Sequence, residues 1–127
     1  MPESWKDRLS RWLTENRADT RQRAGPPGGR YAASFARVWD ELLAYASGRS
    51  RWRIVHADET SGILTLTCRS RVFRFVDDLT IWVSLDAEGF TRVEARSRAR
   101  TGKGDFGVNR RRLVRLVAHL DRTFGRI

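Results

Sequence analysis

The chain has 127 residues, a formal net charge of +10, one cysteine and two histidines. That length suits a single domain, and a domain of this size can bury enough surface to need no disulfide or metal staple. A lone Cys68 excludes an intramolecular disulfide and any Cys-cluster metal site, and His56 and His119 have no ligand-like spacing.

Residues 2–16 set Trp5, Leu9, Trp12 and Leu13 at helical spacing among Lys6, Arg8, Arg11 and Arg17, with Ser4 as a candidate N-cap. We assign an amphipathic N-terminal helix to residues 1–24. It is expected to pack on the domain or on a partner, with peripheral membrane contact as the alternative. Charges interrupt its apolar residues every two or three positions, unlike a signal peptide, and no apolar run approaches the roughly 20 residues of a spanning helix. A cytoplasmic protein is the expectation. Ala24-Gly25-Pro26-Pro27-Gly28-Gly29 reads as a linker over residues 25–30, leaving residues 31–127 as the domain proper.

A second amphipathic helix is expected over residues 31–47, with the stripe Tyr31, Phe35, Val38, Trp39, Leu42 and Tyr45 facing a core and Gly48 at its end. The period then changes to two. Residues 51–57 and 63–69 read as strands joined by the turn Asp58-Glu59-Thr60-Ser61-Gly62. Residues 72–76 either extend the second strand or bend. Residues 79–85 and about 90–100 form a second hairpin around Asp86-Ala87-Glu88-Gly89, and its return strand puts Arg92, Glu94, Arg96 and Arg98 on one face and Val93, Ala95, Ser97 and Ala99 on the other. A last helix over residues 110–124 carries the stripe Leu113, Leu116, Val117, Leu120 and Phe124. The sum is an α+β domain: an antiparallel sheet of about four strands in two hairpins, flanked by an N-terminal and a C-terminal helix.

Charge is uneven along this chain. Six basic residues face four acidic ones in residues 1–24, eight face eight in residues 25–91, and eleven face three in residues 92–127. The last segment therefore holds most of the excess, an asymmetry that suits an anionic partner, although 23 of the 25 basic residues are Arg and compositional bias produces the same signal. Within it, Gly102, Gly104 and Gly107 loosen the backbone between strand and helix, and Asn109 is a good N-cap. Three consecutive arginines, Arg110, Arg111 and Arg112, oppose the helix dipole there and so call for something negative. Free N–H groups, a Gly-Lys-Gly loop and guanidinium forks suit a phosphate or carboxylate, but the spacing is neither a Walker A loop nor a dinucleotide fingerprint. The candidate anion ligands are Arg96, Arg100, Lys103, Arg110, Arg111 and Arg112.

An internal partner is the competing explanation. If the second turn centres on Ala87-Glu88, opposed residues sum to about 175, which sets Asp77 against Arg98 and Asp78 against Ser97. With Asp105, these carboxylates would pair the arginines and hold the loop. Asp77, Asp78, Ser97, Arg98, Gly102, Gly104, Asp105, Gly107 and Asn109 are therefore read as a structural motif.

Catalysis has little support. The first hairpin sums to about 120, so Cys68 opposes Trp52 and lies four positions from His56, about 13 Å at strand rise. Adjacent Asp77 and Asp78 face opposite ways on a strand, which argues against paired-carboxylate chemistry. No catalytic residue, metal or cofactor is expected.

The run Arg96-Ser97-Arg98-Ala99-Arg100 with Gly102-Lys103-Gly104-Asp105-Phe106-Gly107-Val108-Asn109, preceded by Phe75-Val76-Asp77-Asp78, resembles the domain-of-unknown-function family 1499 of bacteria and plastid-bearing organisms. The resemblance covers roughly residues 31–124 and implies a shared fold, with no established activity. It carries over to Asp77, Asp78, Arg96, Ser97, Arg100, Gly102, Asp105, Gly107, Asn109 and Arg112. Ala99 departs from the family, which often has Ser there, so no hydroxyl is required at that position. The reading that follows is a non-enzymatic module binding a phosphate-bearing small molecule or an acidic protein. The alternatives are a nucleic-acid-binding protein, for which no motif appears, and an enzyme using the Asp/Arg cluster.

Overall fold

A computed structural model of the chain describes residues 4–14, 16–71, 75–100 and 105–127, except for the side chains of residues 11–14. It is an α+β fold in which one mostly antiparallel sheet carries helices on one face. In chain order the elements are α1 (Trp5–Thr14), β1 (Arg17–Asp19), β2 (Gly29–Tyr31), α2 (Phe35–Ser47), β3 (Trp52–Asp58), β4 (Ile63–Arg69), β5 (Val76–Leu85), β6 (Thr91–Ala99) and α3 (Val108–Phe124). The sheet order is β1-β6-β5-β4-β3, and β2 also pairs with β6.

The two expected hairpins are present, but the sheet has six strands rather than four. Residues 17–31, read from sequence as the end of a helix and a linker, instead supply two three-residue strands along one edge. β1 lies antiparallel to Arg98, Ser97 and Arg96, and β2 to Val93, Arg92 and Thr91. Between them Thr20 bridges the gap: its N–H donates to the Ala95 carbonyl (2.9 Å) and its Oγ1 accepts from the Ala95 N–H (2.8 Å). An otherwise bare edge of β6 is thereby closed. The chain can turn back so tightly after β1 because residue 25 is glycine; a Cβ there would sit 1.9 Å from the Asp19 carbonyl oxygen. β2 is latched by Arg30, whose Nε donates to Asp86 (2.6 Å) and whose Nη2 donates to Glu88 (3.1 Å) in the β5–β6 turn.

Tyr31 does not begin the second helix. It ends β2, and α2 starts at Phe35 after Ser34, whose hydroxyl accepts from the Arg37 N–H as an N-cap should. The extended conformation of Ser34 stops the helix from reaching further back.

Inward residues of the strands (Leu64, Leu66, Leu79, Ile81, Val83, Val93, Ala95) meet Val38, Trp39 and Leu42 of α2 and Leu113, Leu116 and Leu120 of α3 in one buried core. Complete burial of a leucine contributes about 1.5–3 kcal/mol, so the α3 stripe alone is a large part of what holds that helix down. On the other face of the sheet the described side chains are mostly polar, Thr65, Thr67, Asp78, Thr80, Arg96 and Arg98 among them. The described residues 4–10 are all exposed, Trp5 and Leu9 included. Among the described residues, no helix is long and apolar enough to cross a membrane.

The second hairpin runs one residue out of the expected register. Leu85 pairs with Thr91, so five residues, 86–90, close the loop, with Gly89 at φ +84°. Asp77 consequently opposes Ala99, and Asp78 opposes Arg98. Asp77 and Arg98 face opposite sides of the sheet, and the expected Asp77–Arg98 and Asp78–Ser97 oppositions do not form. The first hairpin keeps its sum at Trp52–Cys68 and shifts by one beyond Ile54, where His56 pairs with Thr65.

Candidate functional site

The site begins where β6 hands over to α3. Asn109 is not the N-cap of that helix. Gly107 occupies the cap position at φ 80°, next to Phe106 at φ 55°, a left-handed pair that only the glycine adopts without strain. The capping is done by Asp105 from two residues outside: Oδ1 accepts the Gly107 N–H (2.8 Å), and Oδ2 accepts the Asn109 N–H (3.2 Å). A carboxylate at the helix start is what the dipole favours, and it offsets part of the charge of the three arginines that follow.

Asn109 is instead fully buried in the first turn. Its Nδ2 donates to Asp105 Oδ2 (2.5 Å) and to the Asn16 carbonyl (3.2 Å), while its Oδ1 accepts from the Ser97 hydroxyl (2.6 Å). Nη1 of Arg112, one turn on, lies 2.9 Å from each of Asn109 Oδ1, Ser97 Oγ and Asp77 Oδ2. The Asp77 and Arg112 side chains retain only 9% and 10% of their exposure, so this is a buried ion pair whose guanidinium nitrogen also meets an amide oxygen and a hydroxyl. Burial pushes the Asp77 carboxyl above the usual carboxylate range; Arg112 opposes that shift, and Asp105 and Asp78 add to it.

Cys68 is the cross-strand partner of Asp77 and is completely buried. Burial pushes its thiol up to about 12. A thiolate-selective reagent is therefore expected to leave the native protein unlabelled and to modify Cys68 only once urea has unfolded it. Stoichiometric labelling of the folded chain would contradict this placement.

In front of the network lies a cleft of about 490 Å³, between the end of α2, the open end of the β3–β4 hairpin and the first turns of α3. Arg49, Arg51, Arg69, Arg71, Arg111, Arg112 and Arg115 line it, with Tyr45, Trp52, Ser50 and Ser70, and no described lining residue is acidic. Arg112 thus stands between the buried network and the cleft. The hairpin register contributes to the crowding: just beyond the Trp52–Cys68 pair, the Arg69 N–H donates to the Arg51 carbonyl (2.9 Å), which sets Arg51 beside Arg69. Arg51, Arg69, Arg71 and Arg115 make no salt bridge with a described carboxylate.

A family model described as "Protein of unknown function (DUF1499)" matches residues 12–120. The chain belongs to this family. No curated protein and no solved structure matches it. The DUF1499 match begins well before residue 31 and so takes in β1 and β2, in keeping with their place in the sheet. It also spans the whole Asp77–Ser97–Asn109–Arg112 network and every cleft arginine.

In this DUF1499 protein the anion candidates read from sequence are divided between two faces. Arg111 and Arg112 reach the cleft. Arg96 lies on the open face, 5.8 Å from the Trp82 ring, which Arg21 covers at 3.8 Å. Arg100 is on that side too, bound to exposed Asp78 through Nε (3.0 Å) and Nη2 (2.9 Å), a solvent-screened pair that adds little stability. Arg110 reaches back to the Ala24 carbonyl (3.2 Å). Lys103, Gly102 and Gly104 lie outside the described residues, as do residues 72–74. Among the described residues, no group of three or more His, Cys, Asp or Glu is placed to hold a metal ion.

Arg49, Arg51, Arg69, Arg71 and Arg115 were not singled out by sequence. Residues 25–91 average to zero charge, which hides the first four; Arg115 lies in the basic last segment, one turn beyond Arg111. The signal that finds those four is the repeated Arg-Ser-Arg at positions 49–51 and 69–71, one at each foot of a hairpin.

Proposed function

We propose that this protein is a binding module for a small, multiply charged oxyanion, phosphate-bearing in the first instance, held in the arginine cleft beside the start of α3. The convergence of seven arginines on a cleft with no acidic residue among its described lining carries this reading. Arg51, Arg69, Arg71 and Arg115, brought together with no described carboxylate paired to them, raise the free energy of the unliganded fold, and a bound anion relieves it. Guanidinium forks are suited to tetrahedral oxyanions. Arg112 is already committed to Asp77, so it presents a positioned rather than a mobile donor.

The test is calorimetric titration of the chain with inorganic pyrophosphate at low and high salt. Binding is expected, and it should weaken as salt rises. Arg69→Ala with Arg71→Ala should reduce affinity by about tenfold or more for each lost charge-assisted contact. Arg96→Ala and Arg100→Ala, on the far side of the sheet, should leave it unchanged. Absence of pyrophosphate binding, or equal affinity in the Arg69/Arg71 variant, would overturn the reading.

A further inference from the structure

Resting on the anion site just described, we infer that its ligand is a nucleoside di- or triphosphate: a planar ring seated against Tyr45, Trp52 and Arg49, with two or more phosphates on Arg51, Arg69, Arg71 and Arg115.

Charge sets the number of phosphates. One phosphate group carries about −1.5 to −2 at neutral pH. Four guanidinium groups that make no ion pair with a described carboxylate therefore call for at least two such groups. They stand along the hairpin feet and α3 rather than around one point, which favours a chain of phosphates over a single ion.

The wall at the α2 end has a different chemistry. Tyr45 and Trp52 meet edge to face with ring centroids 5.5 Å apart, both half-buried against the core yet lining the cleft. The Arg49 guanidinium lies 4.3 Å from the Tyr45 ring centroid, and its Nη2 donates to the Tyr45 hydroxyl (2.6 Å). Arg49 itself is exposed. A guanidinium held over one aromatic ring can also pack against a second planar π-system, as nucleobases provide. An inorganic anion gains nothing from such a wall. The volume, about 490 Å³, falls within the range of small-molecule sites.

Metal enters the inference through the lining. Nucleotide sites that use magnesium supply carboxylates or hydroxyls to hold it. With no acidic residue among the described lining, neutralisation here falls to arginine. The metal-free nucleotide is the form the cleft favours.

The experiment compares ATP, GTP and inorganic triphosphate by calorimetry on the full chain, with and without magnesium. The nucleotides are expected to bind about tenfold more tightly than triphosphate, the increment of one stacked base. Adding magnesium should weaken binding. Trp52→Leu should remove the nucleotide's advantage and leave triphosphate affinity unchanged. Because Trp52 also packs on the core, Arg49→Ala, at an exposed position, is the second variant, and the advantage should shrink there as well. Arg69→Ala with Arg71→Ala should weaken both ligands. Equal affinity for nucleotide and triphosphate, or an advantage that survives both ring-wall variants, would overturn the inference and leave the anion reading standing. Failure of every phosphate to bind would overturn both.

Discussion

Arg112→Met should destabilise the protein by about 3–5 kcal/mol, because it leaves the Asp77 carboxylate buried without its counter-ion. It also strips a donor from Ser97 Oγ and Asn109 Oδ1, both in the interior. Asp77→Asn in the same chain should restore a substantial part of that loss, since the costly species is the unpaired buried charge. The two substitutions are therefore expected to be strongly non-additive, as residues in one network are. The pH dependence follows from the direction of the Asp77 shift. Its folded-state value lies above the unfolded one, so the native state holds this proton more tightly. The stability it contributes is complete below the unfolded value and is lost as pH rises through the folded value. In Arg112→Met both influences that lower the Asp77 value are gone, the charge and the hydrogen bond, so the loss should extend to higher pH than in the parent chain. Urea unfolding of parent, Asp77→Asn, Arg112→Met and the double variant from about pH 4 to about pH 8 measures all of this. Parallel pH profiles for the four chains, or an Arg112→Met variant within about 0.5 kcal/mol of the parent, would show that the pair carries no such role.

That network was half legible. The sequence reading groups Asp77, Ser97, Asp105 and Asn109 in a structural motif but assigns Arg112 to an external anion, while alternation in β6 sends Ser97 inward and Arg96 and Arg98 outward, as the structure does. The partners were misassigned by the length of one turn. A four-residue loop and a five-residue loop differ by a single position, and on a strand a single position exchanges the two faces. Asp77 therefore meets a helix arginine instead of its cross-strand neighbour. The long strands and the helical stripes of α2 and α3 were readable because each repeats its period several times. β1 and β2 have three residues each, too few for any period, and they are set among glycines and prolines that locally read as a linker. Charge averaged along the chain does not reveal the cleft, because the β3–β4 register gathers it in space. A hairpin sum of about 120 is enough to pair Arg51 with Arg69.

The edge strands carry the other large effect. Tyr31 is fully buried, its ring 5.9 Å from that of Phe124 and its hydroxyl donating to Asp121 (2.8 Å). Tyr31→Ala should cost about 3–5 kcal/mol, the range for emptying an aromatic site in a packed core. Tyr31→Phe should cost only about 0.5–1.5 kcal/mol, the net value of one hydrogen bond, because Asp121 is half-exposed and can turn to water. The same reasoning sets how much of the N-terminus the fold needs. A chain beginning at residue 32 lacks Ala18, Thr20 and Tyr31, leaves the outer edge of β6 unpaired and removes the Asn16 carbonyl to which Ala99 (2.7 Å) and Asn109 (3.2 Å) donate. It should fail to fold cooperatively and should aggregate through that edge. A chain beginning at Asn16 keeps every one of these contacts and loses only α1, whose described side chains are exposed. Its melting temperature should fall within a few degrees of the parent value, a shift worth about 1 kcal/mol or less. Circular dichroism melts of the two truncations decide the matter: a cooperative transition in the shorter chain would mean that β1 and β2 are dispensable cover, and a collapse of the longer one would mean that the fold depends on the residues before Asn16.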